Sequence, residues 1–262
     1  MRTKEILKKY KAGEISLEEL EDILDESLIT VDKFGKLDKN RCERAGISEA
    51  VFAETKDPEH AARLSVELAK SNGRVLTTRV GEGHLEELKK EASKEGLTVD
   101  FNEEGKIAVV KKEDSSVERR GGNVGIITAG TADIPVAEEA RVTVEEMGCE
   151  TVTSYDVGVA GIHRMYEPLK EMLGNIDSLV VIAGMEGALP TVVSSLVDVP
   201  VIGVPTSTGY GAGGEGKAAL LTMLQTCAPG LTVVNIDNGY AAGSFAALIS
   251  INMEKARKSG RG

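Results

Sequence analysis

Tryptophan is missing from this chain of 262 residues, and the other aromatic side chains are four Phe and five Tyr. So few rings leave little material for the stacking platforms that bind single-stranded nucleic acid. Cysteine is scarce as well. Cys42, Cys149 and Cys227 form no CxxC pair, and three histidines are too few and too scattered for a zinc cluster. That usage fits a reduced, cytoplasmic setting. Long apolar runs are also lacking: nothing approaches the ~18 consecutive apolar residues of a membrane span, and the opening MRTKEILKKYKAGEISLEEL has no apolar core of a signal peptide. Positive charge is the minority sign, with 31 Lys and Arg against 42 Asp and Glu, a net charge of −11. Such a balance excludes a nucleic-acid polymer or an anionic membrane as the main partner, while a small anionic ligand can still bind locally.

What is present divides near Arg120. Residues 1–120 hold 50 of the 73 charged side chains, and residues 121–262 hold 21 of the 29 glycines. We therefore expect two domains, 1–120 and 121–262, joined by the polar stretch KKEDSSVERRGG. The first reads as a small α/β domain. Its segment 3–29 is expected to be helical, with Ile6, Leu7, Tyr10 and then Leu17, Leu20, Leu24 at helical spacing and Ser16 as a cap. AVFA reads as a short strand, DPEHAARLSVELAKSNG as a helix capped by Asp57 and ended by Gly73, and a strand, helix, strand, turn, strand series follows. From Asn123 onward five βα units alternate, with near-continuous apolar strands. The expected fold is α/β: a doubly wound parallel sheet covered on both faces, behind a smaller N-terminal α/β domain.

Ligands of such sheets sit at the carboxyl ends of the strands, and the glycines gather after strands at 128–131, 158–161, 184–187 and 209–216. In the last cluster Gly211, Gly213 and Gly216 satisfy GxGxxG, and Gly211 to Lys217 satisfy GxxxxGK. Neither match carries weight. A dinucleotide fingerprint belongs at the first strand of a sheet, and a P-loop needs Ser or Thr where this chain has Ala218. What survives is a glycine-rich loop at a helix start, with Gly209, Tyr210, Gly213, Gly214 and Lys217 available to an anion, or else a plain crossover loop. The first loop offers Thr128, Gly130 and Thr131 as donors. Asp133 reads either as a helix N-cap or as a site carboxylate. In VAGIHRMYE, Gly161, His163 and Arg164 open a helix, Arg164 as a carboxylate or phosphate clamp or as an exposed helical cation. Gly184, Met185 and Glu186 sit at a strand end, where apolar surroundings would make Glu186 a base. Cys227 taken by itself reads as buried filling.

The runs TAGTADIPVAEEA, SYDVGVAGIHRM and VVIAGMEGALPTVVSSLVDVPVIGVPTSTG resemble the aminoimidazole ribonucleotide carboxylase fold over residues 121–250 or so. The purine enzymes of that fold carry Ser-Asp in the first loop and a histidine in GAGGAAHLPG, where this chain has TADIP and GMEGALPT. DKNRCERAGISEAVFAETK together with GGEGKAALLTMLQTC and NIDNGYAAG resembles instead the pyridinium-3,5-biscarboxylic acid mononucleotide synthases of nickel-pincer cofactor assembly, although Ser48 stands where proline is usual. This second likeness spans most of the chain.

It implies nicotinic acid adenine dinucleotide and CO2 as substrates, carboxylation of the pyridinium ring at C5, and release of AMP. An electron-poor ring does not attack CO2 unaided, whereas a thiolate added at C4 makes an enamine that can. By this resemblance Cys227 is the nucleophile, Glu186 or Asp133 accepts the C5 proton, and the glycine-loop residues named above, with Asn238, hold the substrate. Phosphoanhydride cleavage makes Mg2+ the expected ion, its ligands unassigned, with no organic cofactor. The purine carboxylases imply a homo-octamer with sites shared between subunits. An aminoimidazole ribonucleotide carboxylase or mutase is the alternative.

Overall fold

The computed structural model describes residues 3–20, 28–31, 33 and 35–260. The chain separates into two compact units, residues 1–102 with 106–116, and residues 103–105 with 117–262.

In the first unit α1 (Thr3–Lys11) is followed by a helical start at 17–20, closed by a reciprocal cap in which Glu19 N–H donates to Ser16 Oγ (3.0 Å) and Ser16 N–H donates to Glu19 Oε2 (2.8 Å). Leu24 lies outside the described residues. The expected helix does not reach Ile29. Leu28–Val31 forms β1, paired antiparallel with β2 (Gly35–Asp38), because the β-branched run Ile29, Thr30, Val31 favours the pleated conformation. The short α2 (Arg41–Ala45) leads to β3 (Ala50–Phe52). Next comes α3 (Pro58–Asn72), started by Asp57, whose carboxylate accepts from Glu59 N–H and His60 N–H, and ended by Gly73 at φ +82°. β4 (Arg74–Thr78), α4 (Glu82–Lys94), β5 (Leu97–Asn102) and β6 (Ile107–Lys112) complete a sheet of order β3-β4-β6-β5, in which only β3 and β4 run parallel. Helices α3 and α4 cover it, Leu68 and Leu88 being wholly buried.

The second unit alternates β7 (Asn123–Thr128), α5 (Ile134–Glu146), β8 (Glu150–Ser154), α6 (His163–Met172), β9 (Ser178–Ala183), α7 (Leu189–Ser194), β10 (Val201–Pro205), α8 (Lys217–Leu224), β11 (Leu231–Val233) and α9 (Gly239–Lys258). All five strands are parallel, in the order β11-β10-β9-β7-β8. The central strands β7, β9 and β10 are buried almost throughout, which is why their sequences read as unbroken apolar runs. The two edges differ. β8 (ETVTS) is mostly exposed, and β11 stops at Val233, short of the expected LTVVNI.

The chain reaches β8 on one side of β7 and then crosses to β9 on the other. Between β7 and β9 the winding direction therefore reverses, and a crevice opens beyond their carboxyl ends where the following loops part.

Candidate functional site

A cavity of about 380 Å3 lies in that crevice. The loops after β7, β8, β9 and β10 supply its walls, among them Gly130, Asp133, Asp156, Arg164, Gly184, Met185, Glu186 and Thr208. Its volume is near the lower end of small-ligand pockets, which run from roughly 300 to 1,000 Å3.

Asp133 anchors the floor. It is 3% exposed and ends a 3-10 turn, Thr131–Asp133, that leads into α5. Its carboxylate does not cap α5. Oδ2 accepts from Gly130 N–H (2.9 Å), and Oδ1 accepts the hydroxyl of Thr206 (2.6 Å) and lies 3.3 Å from that of Thr208. The two threonine hydroxyls are 2.8 Å apart. Asp133 thus ties the loop after β7 to the loop after β10 across β9. Between them passes Gly184, where a Cβ would stand 2.0 Å from Thr208 Oγ1 and 2.6 Å from Thr206 Oγ1. Only glycine allows so close an approach.

A second wall comes from the edge strand. Asp156 holds φ at +58°, its backbone N–H donating to the buried Thr128 hydroxyl (3.1 Å), and its carboxylate pairs with Arg164 Nη1 at 2.7 Å. The rim carries backbone strain as well. Met185 holds φ +52° and is exposed, and Gly187 follows at φ +66°. A non-glycine side chain in that region costs on the order of 1 kcal/mol, a cost characteristic of sites where surrounding structure over-determines the loop.

The remaining candidates distribute as follows. Gly130, Asp133, Arg164, Gly184, Met185 and Glu186 line the cavity together. Glu186 is exposed, so the apolar enclosure expected to make it a base is absent. Thr128 serves Asp156 rather than the cavity, and Gly161 leaves room for the Arg164 guanidinium, which a Cβ there would meet at 2.7 Å. Thr131 and His163 are exposed beside the cavity walls without lining them. Gly209 runs close over Met185, its Cβ position 3.3 Å from Met185 N. Beyond it the glycine-rich loop turns outward: Tyr210 is 80% exposed, Gly213 and Gly214 form and leave a 3-10 turn, and Lys217 pairs with Glu215 (2.9 Å) in solvent. Asn238 caps α9, accepting from Ala241 N–H.

The cysteines sort by environment. Cys149 is buried, with the thiol directed at the carbonyl of Gly121 (3.3 Å), and burial pushes its pKa up to about 11. Cys42 and Cys227 are exposed. Cys227 is therefore not filling. It lies between α8 and β11, three residues before Gly230, whose carbonyl binds Val201 N–H at the amino end of β10. The cavity is at the other end of that sheet, so the fold does not bring Cys227 and Glu186 together within one chain.

Sequence reasoning passed over Asp156, Thr206 and Thr208. TSTG directly after the buried β10 was the available signal for the two threonines, since polar residues at the carboxyl end of a parallel sheet face the crevice. Among the described residues, no group of three or more His, Cys, Asp or Glu is placed to hold a metal ion, and no helix is long and apolar enough to cross a membrane.

Residues 123–259 match the AIR carboxylase family, and residues 29–113 match the family described as LarB/PurE-like N-terminal domain. An uncharacterized protein, MJ0165 of Methanocaldococcus jannaschii, is 44% identical over 96% of this chain and 98% of its own length. The N5-carboxyaminoimidazole ribonucleotide mutase of the same organism is 35% identical over 49% of this chain and 76% of its own. The crystal structure of Treponema denticola PurE aligns with 53% of this chain and 92% of its own, at 19% identity and a TM-score of 0.38.

Proposed function

We infer the reaction from one premise: this chain belongs to the AIR carboxylase family, with a LarB/PurE-like N-terminal domain ahead of the carboxylase domain. The reading we propose is carboxylation of the pyridinium ring of nicotinic acid adenine dinucleotide, followed by hydrolysis to AMP and the biscarboxylated mononucleotide. The observation that carries it is the charge of the cavity. Among the described residues, three carboxylates, Asp133, Asp156 and Glu186, line it against one guanidinium, Arg164, with no histidine or lysine. A pocket of that balance favours a cationic ring over a neutral imidazole.

In this reading a Cys227 thiolate bonds to ring C4, and the displaced electron pair makes a dihydropyridine whose C5 attacks CO2. A carboxylate takes the C5 proton, the C4–S bond breaks, the thiolate leaves and the cationic ring is restored. Glu186 is the proton acceptor, because it lines the cavity and is exposed, whereas Asp133 already accepts from Gly130 N–H and the Thr206 hydroxyl and lies 3.3 Å from that of Thr208. Cys227 lies toward the amino end of its own sheet, away from the cavity, so in this reading the thiol reaching the ring is supplied by a neighbouring copy in a homo-oligomer. Magnesium enters, on this view, with the substrate diphosphate, and no step is assigned to it.

The test is product analysis by mass spectrometry after incubation with the dinucleotide and isotopic bicarbonate. Labelled mononucleotide and AMP are expected from the wild type, and neither from Cys227→Ser, because a serine hydroxyl is far less ionised. Glu186→Gln should lose roughly 10²-fold or more in rate, the scale of a missing general base. Mixed oligomers of the two variants should regain activity at sites that join one intact Cys227 to one intact Glu186. The alternative reading, an aminoimidazole ribonucleotide carboxylase or mutase, draws on the likeness of the carboxylase domain to the mutases. That substrate needs no thiol, so its turnover by Cys227→Ser protein would decide for the alternative.

A further inference from the structure

The hydroxyl chain behind the cavity fixes what its innermost wall can recognise. Asp133 as a carboxylate only accepts hydrogen bonds, and the wholly buried Thr206 gives its one proton to Asp133 Oδ1 at 2.6 Å. Thr208 Oγ1 then has two inward acceptors, Thr206 Oγ1 at 2.8 Å and Asp133 Oδ1 at 3.3 Å. Whichever it uses, its single proton is committed away from the cavity. Thr208 lines the cavity, so what its oxygen has left to offer a ligand is a lone pair, with the Asp133 carboxylate behind it. Gly184 holds this arrangement in place, since any Cβ there would displace the Thr208 hydroxyl.

From this we propose that Thr208 is a specificity-determining residue that accepts a hydrogen bond from a ribose hydroxyl of the nucleotide, with Asp133 and Thr206 as its positioning residues. The proposal rests on the cavity being a nucleotide site. A phosphate oxygen is the wrong partner, because acceptor would face acceptor next to Asp133. A neutral hydroxyl is the right one: it donates to Thr208 and leaves its own oxygen free for other groups. Selection against deoxyribose is then built into the wall, because a ligand lacking the hydroxyl leaves the Thr208 lone pair desolvated and unpaired.

Calorimetric titration with nicotinic acid mononucleotide and its 2′-deoxy and 3′-deoxy forms tests this. The wild type should bind the ribonucleotide roughly three- to tenfold more tightly than one of the deoxy forms. Thr208→Val, of equal shape and without the acceptor, should lose that preference by weakening ribonucleotide binding alone, and Thr208→Ser should keep it. Thermal unfolding of both variants checks that the fold is intact. A wild type that binds none of the three probes, or binds all three equally, overturns the proposal, as does a folded Thr208→Val protein with the wild-type preference. The carboxylation assay stands apart: hydroxyl discrimination without carboxylation defeats the proposed reaction and leaves this proposal standing, and carboxylation without discrimination does the reverse.

Discussion

At the scale of single residues, burial separates groups that look alike in the sequence. Asp133 and Glu186 both follow strands in glycine-rich loops, yet one is 3% exposed and engaged by Gly130, Thr206 and Thr208 while the other faces solvent. The cysteines divide the same way, with an observable consequence at high pH. The folded Cys149 thiol keeps its proton to about pH 11, whereas an ordinary thiol loses it near 9.0. The stabilisation is complete below the unfolded value and is lost as pH rises from 9 to 11, by roughly 2 kcal/mol at 1.36 kcal/mol per pH unit. Urea unfolding across that window should show a steeper decline for wild type than for Cys149→Ala. Parallel declines would remove Cys149 as the cause.

At the scale of elements, the glycine-rich loop between β10 and α8 is open along most of its length and packed at one corner. There Gly216 begins α8 at φ +76° with its Cβ position 2.7 Å from Ile236 Cγ2 and 3.0 Å from the carbonyl of Thr206. Gly230, at φ +90° before β11, has nothing within 4 Å of a Cβ. Gly230→Ala should therefore cost about 1 kcal/mol for conformation alone, and Gly216→Ala about 2–4 kcal/mol, conformation plus overpacking. Because the displaced carbonyl belongs to Thr206, only Gly216→Ala should also weaken the nucleotide binding proposed above. Equal losses of stability in denaturant titrations of the two variants would show that the corner is not packed as described.

At the scale of the whole molecule, charge is the property with reach beyond the site. A net charge of −11 leaves no stripe of cations to release counterions from a polyanion. We expect no binding to duplex DNA at physiological salt, and a salt-sensitive gel shift at low micromolar protein would contradict this. Under the proposed function the same acidity in the cavity, three carboxylates to one guanidinium, would favour a cationic ligand ring.

The sequence by itself determined the alternation of strands and helices in residues 123–258, because buried parallel strands must be apolar at nearly every position and helices must carry a stripe. It determined the caps at Ser16, Asp57 and Gly73, whose chemistry is local, and through its glycines it located the end of the sheet at which the cavity opens. It did not determine β1, where a short β-branched run prevailed over a helical spacing carried in from the preceding segment. Nor could it determine which loop residues meet. Asp133 and Thr206 are 73 positions apart and touch only because β7 and β10 flank β9, and Cys227 is set apart from Glu186 only because α8 carries the chain back to the amino end of the sheet. Local patterns record the period of an element and the chemistry of its ends. Which ends become neighbours depends on strand order, and strand order is decided by packing between segments far apart in the chain.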